Sequence, residues 1–154
     1  MTDPVRPPVG TRLTRTGWEI PEALDEPMVR AVVDSFYAKA RADDVIGPVF
    51  NRVIAEADWP EHIDKITSFW SSMLLGTGTY GGRPMPKHMA IPELSDMHFS
   101  RWLALFRQTA QELCPPDVAE LFIERSERVG QSFRLNIAVR RGEDVTRMGP
   151  LPRE

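Results

Sequence analysis

Residues 83–106 read RPMPKHMAIPELSDMHFSRWLALF, and this stretch decides the fold. Pro84 and Pro86 each fix φ and remove a backbone donor, so the chain approaches His88 as a stiff, extended segment. Pro92 stops any helical turn carrying His88 after roughly one to two turns. A single imidazole on so short and braced a segment suits a ligand presented to something large. The same residues also suit a surface histidine beside a turn. From Ser95 a new helical period begins: Phe99, Trp102, Leu103, Phe106 and Ala110 share one stripe, and the helix should end near Leu113.

Upstream, Asp58-Trp59-Pro60-Glu61 predicts a helix start, with an Asp cap, an early Pro and Glu three residues after the cap. The helix should run to about Leu75, where Gly76-Thr77-Gly78 ends it. His62, Ile66, Phe69, Trp70 and Met73 fall on one face, so His62 stands at the outer end of an aromatic stripe. That is a gate-like placement, and equally one for a capping or partly exposed histidine. Before it, a helix from about Glu26 to Arg41 turns Val29, Val33, Phe36, Tyr37 and Ala40 inward. The Tyr37 hydroxyl must then find a buried partner or point into a cavity. Residues 42–54 should give a turn and a short helical piece broken by Gly47-Pro48.

After the Cys114-Pro115-Pro116 break a last helix, about 116–140, carries Val118, Leu121, Phe122, Val129, Phe133 and Ile137 inward, and Gly130 within it suggests close approach of a neighbour. No segment shows strand alternation, so the expected class is all-α. Residues 1–24 should form a flexible arm, which Trp18 and Ile20 could anchor at its end, 25–140 the domain, and 141–154 a frayed polar tail.

A net charge of −3 without a long basic run argues against nucleic acid as the partner. No apolar run approaches the roughly 20 residues that span a bilayer, and the N-terminus lacks a hydrophobic signal core, so a cytoplasmic protein is expected. Cys114 is the only cysteine, which excludes an internal disulfide. A zinc site from His62, His88, His98 and Cys114 lacks the short ligand spacing such sites use. An opened bundle is the better match. The long connection between Gly76 and Ser95 packs poorly as a simple loop, and the aromatic stripes and the polar tips of Tyr37, His62 and Trp102 suit a slot for a flat apolar ligand such as a porphyrin.

Three pieces carry a closer resemblance: SFYAKARADDVIGPVF (35–50), WPEHIDKITSFWSSMLLGTGTYGGRPMPKHMAIPEL (59–94) and HFSRWLALF (98–106). Over roughly Pro27 to Val139 the sequence resembles a group III truncated haemoglobin, a bacterial single-domain globin. The resemblance implies a truncated globin-like helical sandwich enclosing haem b, with a short irregular segment before the proximal histidine. It makes His88 the iron ligand, Tyr37 the distal hydrogen-bond donor and His62 a distal histidine that acts as a solvent gate. Ile66 is then the apolar residue over the iron, and Trp102 supplies an indole N–H to the distal pocket. Phe36, Phe50, Phe69 and Trp70 become pocket-wall aromatics, and Met85 joins the cofactor-contacting set. The family pattern gives His98 no ligand role.

Two donors on bound dioxygen would slow its release, which suits redox chemistry: nitric oxide dioxygenation or peroxide reduction, with carbon monoxide as a further ligand and an external electron donor. The competing expectations are reversible dioxygen transport or storage, gas sensing, and a haem-free helical interaction module. A monomer or weak oligomer is expected.

Overall fold

The computed structural model describes residues 11–13, 19–77, 91 and 94–153. Among them run the helices α1 (Glu26–Ala42), α2 (Gly47–Val53), α3 (Trp59–Leu75), α4 (Asp96–Leu113) and α5 (Pro116–Arg140). Ahead of them the short strands β1 (Thr11–Leu13) and β2 (Glu19–Pro21) pair antiparallel, Arg12 opposite Ile20. Strands of three residues are too short to show a two-residue alternation in sequence. The fold stays all-α. Ile20 and, just beyond β2, Leu24 are buried in the main core.

Asp25 caps α1: its carboxylate accepts the Met28 N–H at 2.9 Å, and Pro27 stands in the first turn, where its missing donor costs nothing. The expected face is buried, and Val32 joins it. Asp43 then ends α1 and organises the turn. One of its carboxylate oxygens accepts the Val45 and Ile46 N–H groups and the other accepts from Arg101 of α4. Burial alone would push this carboxyl up, but Arg101 and the two backbone donors together hold it below the usual aspartate range. Contrary to expectation, Gly47-Pro48 does not break the short helical piece but opens α2. A Cβ on Gly47 would stand 2.7 Å from the Arg41 carbonyl oxygen, so α2 can start against the end of α1 only with glycine there.

Asp58 also departs from expectation, because its side chain makes no capping bond. Glu56–Asp58 form a 3-10 turn that feeds α3, and Asp58 already has near-helical backbone angles, unlike a side-chain cap. Gly76 ends α3 in the left-handed conformation (φ 69°), its N–H reaching the Ser72 carbonyl at 3.2 Å. Packing brings α4 along α5, with α1 against α3 and α4. Phe36, Phe106 and Phe122 are fully buried at the centre, and Trp70 stacks on Phe106 with ring centroids 4.9 Å apart. The neighbour expected at Gly130 is there: a Cβ would meet Leu103 and Trp102 at 3.6 Å, an ordinary contact.

The C-terminal tail is not frayed. Leu151 packs on a second apolar cluster built by Phe99, Phe133 and Ile137. Arg153 pairs with Glu120 and Glu127 on α5. Buried Arg134 ties the tail down: it donates to the Gly149 carbonyl at 3.0 Å and to Gln131, and it forks onto both Asp96 oxygens at 2.9 and 2.8 Å. Polarity alone suggested fraying, yet the guanidinium supplies partners no periodicity can show. Arg134→Ala should therefore lower stability by about 1–3 kcal/mol in urea unfolding. The Arg134 hydrogen bonds hold the Asp96 carboxyl below its ordinary value of 3.8, with burial opposing. Its contribution is thus present above that pH and lost as pH falls through the lower folded value, so the gap between wild type and variant should narrow in acid. An unchanged midpoint at neutral pH would contradict the strap.

Candidate haem cavity

A cavity of about 460 Å³ opens between α1, α2, α3, α4 and α5, within the range of ligand pockets, about 300–1,000 Å³. Each wall follows from a helical stripe. Tyr37 comes from α1, Phe50 from α2, His62, Ile66, Phe69 and Trp70 from α3, and Trp102 from α4. All seven were expected at a site, and the fold brings them to one cavity. His88 and Met85, also expected there, lie outside the described residues.

Phe36 is placed differently. It is a fully buried core residue one layer behind the wall, edge-on to Tyr37 at 4.9 Å and to Trp102 at 6.0 Å. Neighbouring positions on a helix point about 100° apart, so Phe36 and Tyr37 cannot both face one slot squarely. Phe36 instead separates the two polar-tipped aromatics and fixes their spacing.

Tyr37 is buried, and burial pushes its hydroxyl pKa up, so the group remains a protonated donor throughout the physiological range. Among the described residues neither its hydroxyl nor the Trp102 indole N–H has a hydrogen-bond partner. Both residues line the cavity. Two donors left open among the described residues, on a mostly apolar lining, are poised for an acceptor that enters the cavity.

His62 is half-buried, its ring perpendicular to Tyr37 at 5.6 Å and to Trp59 at 5.4 Å. Trp59, read from the sequence only as part of the helix start, is the anchor of this corner. Its ring also meets Tyr37 at 5.7 Å, and the Arg41 guanidinium covers it 4.4 Å from its centroid. Arg41 is fixed in turn by Glu56 and Asn51. Asp58, Glu61 and Lys65, all exposed, add charge to the wall from the start of α3, where Lys65 pairs with Glu61 at 3.2 Å.

Phe99, Val129 and Phe133 also line the cavity. Sequence periodicity placed them in the core, and a cavity wall and a core share the same apolar stripe. His98 lines it too, although the resemblance gave it no role. As for the zinc alternative, no cluster of three metal-binding side chains exists among the described residues, and the Cys114 thiol faces the Met28 sulfur at 3.6 Å.

Helices around a cavity with aromatic lining and two donors open among the described residues suit a flat, largely apolar ligand, and likeness to known families says which class of protein this is. The model of bacterial-like globins matches residues 23–128. The chain belongs to this family, and within it to the group III truncated haemoglobins. It is 32% identical over 115 residues to the group 3 truncated hemoglobin ctb of Campylobacter jejuni, covering 73% of this chain and 91% of that protein. A group 1 truncated hemoglobin, GlbN of Nostoc commune, is 31% identical over 74 residues, 48% of this chain and 59% of its own. The crystal structure of the group III protein from Campylobacter jejuni superposes with a TM-score of 0.71 at 30% identity, covering 75% of this chain and 93% of that one. A truncated hemoglobin from Tetrahymena pyriformis shares the fold, with a TM-score of 0.56 at 24% identity over 71% of this chain and 87% of that one.

Haem binding follows from this membership, and the residues present fit it. The lining is mostly apolar, rich in aromatic side chains, and carries donors that nothing among the described residues satisfies. No described helix is long and apolar enough to cross a membrane.

Proposed function

We propose that the protein is a haem b globin that holds dioxygen for redox chemistry, turning over nitric oxide or peroxide, and draws electrons from a separate donor. The observation that carries the reading is that Tyr37 and Trp102, donors without a partner among the described residues, line one mostly apolar cavity. Haem supplies an iron at which a diatomic ligand binds and, in the case of dioxygen, gains partial negative charge. The chain's own groups do the rest. The Tyr37 O–H and the Trp102 N–H, both on the cavity lining, would donate to the charged outer atom of such a ligand. Phe69, Trp70 and Ile66 exclude water, which strengthens both bonds. His62, near the start of α3 and one turn before Ile66, turns between the cavity and solvent and regulates entry. His88, the residue the resemblance makes the ligand, would hold the iron.

Two charge-assisted hydrogen bonds make dioxygen release slow. Slow release defeats delivery and favours reaction with a second molecule. The test is stopped-flow mixing of the dioxygen-loaded ferrous protein with nitric oxide and, separately, of the ferric protein with peroxide. Rapid conversion to the ferric form with nitrate as product supports dioxygenation, and rapid peroxide turnover with an added electron donor supports reduction. A protein slow in both reactions that releases dioxygen quickly is a carrier, and the redox reading then falls.

A further inference from the structure

His98 occupies a place on the cavity wall that its sequence context did not explain. It is the third residue of α4, and its ring is held by the residue before the helix. Nδ1 lies 3.2 Å from the Ser95 N–H, which donates to it, and 3.0 Å from the Ser95 hydroxyl. An imidazole nitrogen that accepts from a backbone N–H carries no proton, so the hydrogen-bond pattern assigns the neutral tautomer with its proton on Nε2. His98 thus plays the part that Glu or Gln takes in a capping box. Unlike Glu it keeps an N–H donor, and unlike Gln a rigid one, on the far side of the ring. That Nε2–H has no partner among the described residues, and the side chain is half-buried.

The surroundings say what this donor suits. The other charged groups of the wall, Asp58, Glu61 and Lys65, come from the start of α3, where two carboxylates accompany one ammonium already paired with Glu61. The wall residues nearest His98 in the chain, Ile91, Leu94 and Phe99, are uncharged. Asp96, the nearest carboxylate in sequence, is taken up by Arg134. An anion beside His98 therefore meets a donor among wall neighbours in the chain that are uncharged, the wall carboxylates Asp58 and Glu61 coming from another helix. Haem is apolar except for two propionate carboxylates at one edge, and these need donors where they leave the slot.

We propose that His98 is a haem-anchoring residue whose Nε2–H donates to a propionate carboxylate, its orientation set by the Ser95 cap. The proposal rests on the haem reading above.

The test measures the rate of haem loss to an excess of a haem-scavenging globin, for native haem and for its dimethyl ester, which lacks the carboxylate charge. H98E keeps the capping acceptor and removes the donor, whereas H98L removes both without adding charge. With native haem both variants should lose the cofactor about 10- to 150-fold faster than wild type, the range for one charge-assisted hydrogen bond. With the diester, H98E should match wild type and H98L should retain only the smaller defect that loss of the cap produces. Native-haem rates unchanged in both variants would overturn the proposal while leaving the haem reading intact. So would an H98L defect of equal size with the two haems, which would make His98 a cap and nothing more. A wild-type protein that takes up neither haem would overturn the haem reading and this proposal with it.

Discussion

His88→Ala is expected to strip the protein of most of its haem. The position is braced in sequence by Pro84, Pro86 and Pro92, and its role as iron ligand is part of our proposal. The chain has three histidines. One of the others, His98, has Nδ1 engaged by Ser95 and its ring fixed by that cap, so it cannot turn to replace the lost ligand without giving up the start of α4. The other, His62, stands edge-on to Tyr37 and Trp59 on the wall that carries the ligand donors. Losing an outer-shell partner of a metal ligand costs roughly 10–100-fold in affinity, and losing the ligand itself should cost more. Haem that remains should lack the iron–histidine stretching band in resonance Raman of the ferrous form. A variant that keeps both its haem and that band would show that the iron is held elsewhere.

The second large effect concerns Tyr37 and Trp102. Each should contribute about 1–3 kcal/mol to holding dioxygen, because the acceptor is charged and the lining around the donors is mostly apolar. Removing one donor should then quicken dioxygen release by roughly 5- to 150-fold. Carbon monoxide carries far less negative charge on its outer atom, so its release should change much less. Phe36 sets a limit on independence. It touches both rings, at 4.9 and 6.0 Å, so a change in one aromatic is felt by the other. Should the Trp102 N–H draw the Tyr37 hydroxyl away from the ligand, Tyr37→Phe would slow release while Trp102→Phe still quickened it. The sign of each single variant therefore reports which donor reaches the ligand.

Helical periodicity carries α1, α4 and α5 in the sequence almost to the residue, because a face that must bury Val29, Phe36 and Phe106 repeats at the helical spacing whatever it packs on. Gly76 could be foreseen for a local reason, its position after the last apolar residue of α3. What escaped depends on contacts between distant residues. The start of α2 at Gly47 needs the Arg41 carbonyl 2.7 Å from where a Cβ would be, and pinning of the tail needs Arg134, 15 positions before Gly149. Asp58 failed as a cap because a 3-10 turn took over the helix entry.

Within the cavity the polar-tipped residues were readable, since Tyr37, His62 and Trp102 stand out on apolar stripes. Phe99 and Phe133 did not stand out, because an aromatic against a cavity looks like an aromatic against a core. Phe36 was carried to the wall by resemblance, and the angle between adjacent helical positions moves it behind. His98 was passed over for the same reason in reverse: resemblance gave it no role, yet the Ser95 cap turns it into an oriented donor on the wall.

The measurement that bears most directly on the central claim is the rate of dioxygen and carbon monoxide release from wild type, Tyr37→Phe, Trp102→Phe and the double variant, followed by stopped-flow displacement. A pair of donors on one haem-bound ligand predicts slow dioxygen release in wild type, a large change in each single variant, a non-additive double variant, and nearly constant carbon monoxide release. Wild-type dioxygen rates in all three variants would contradict it.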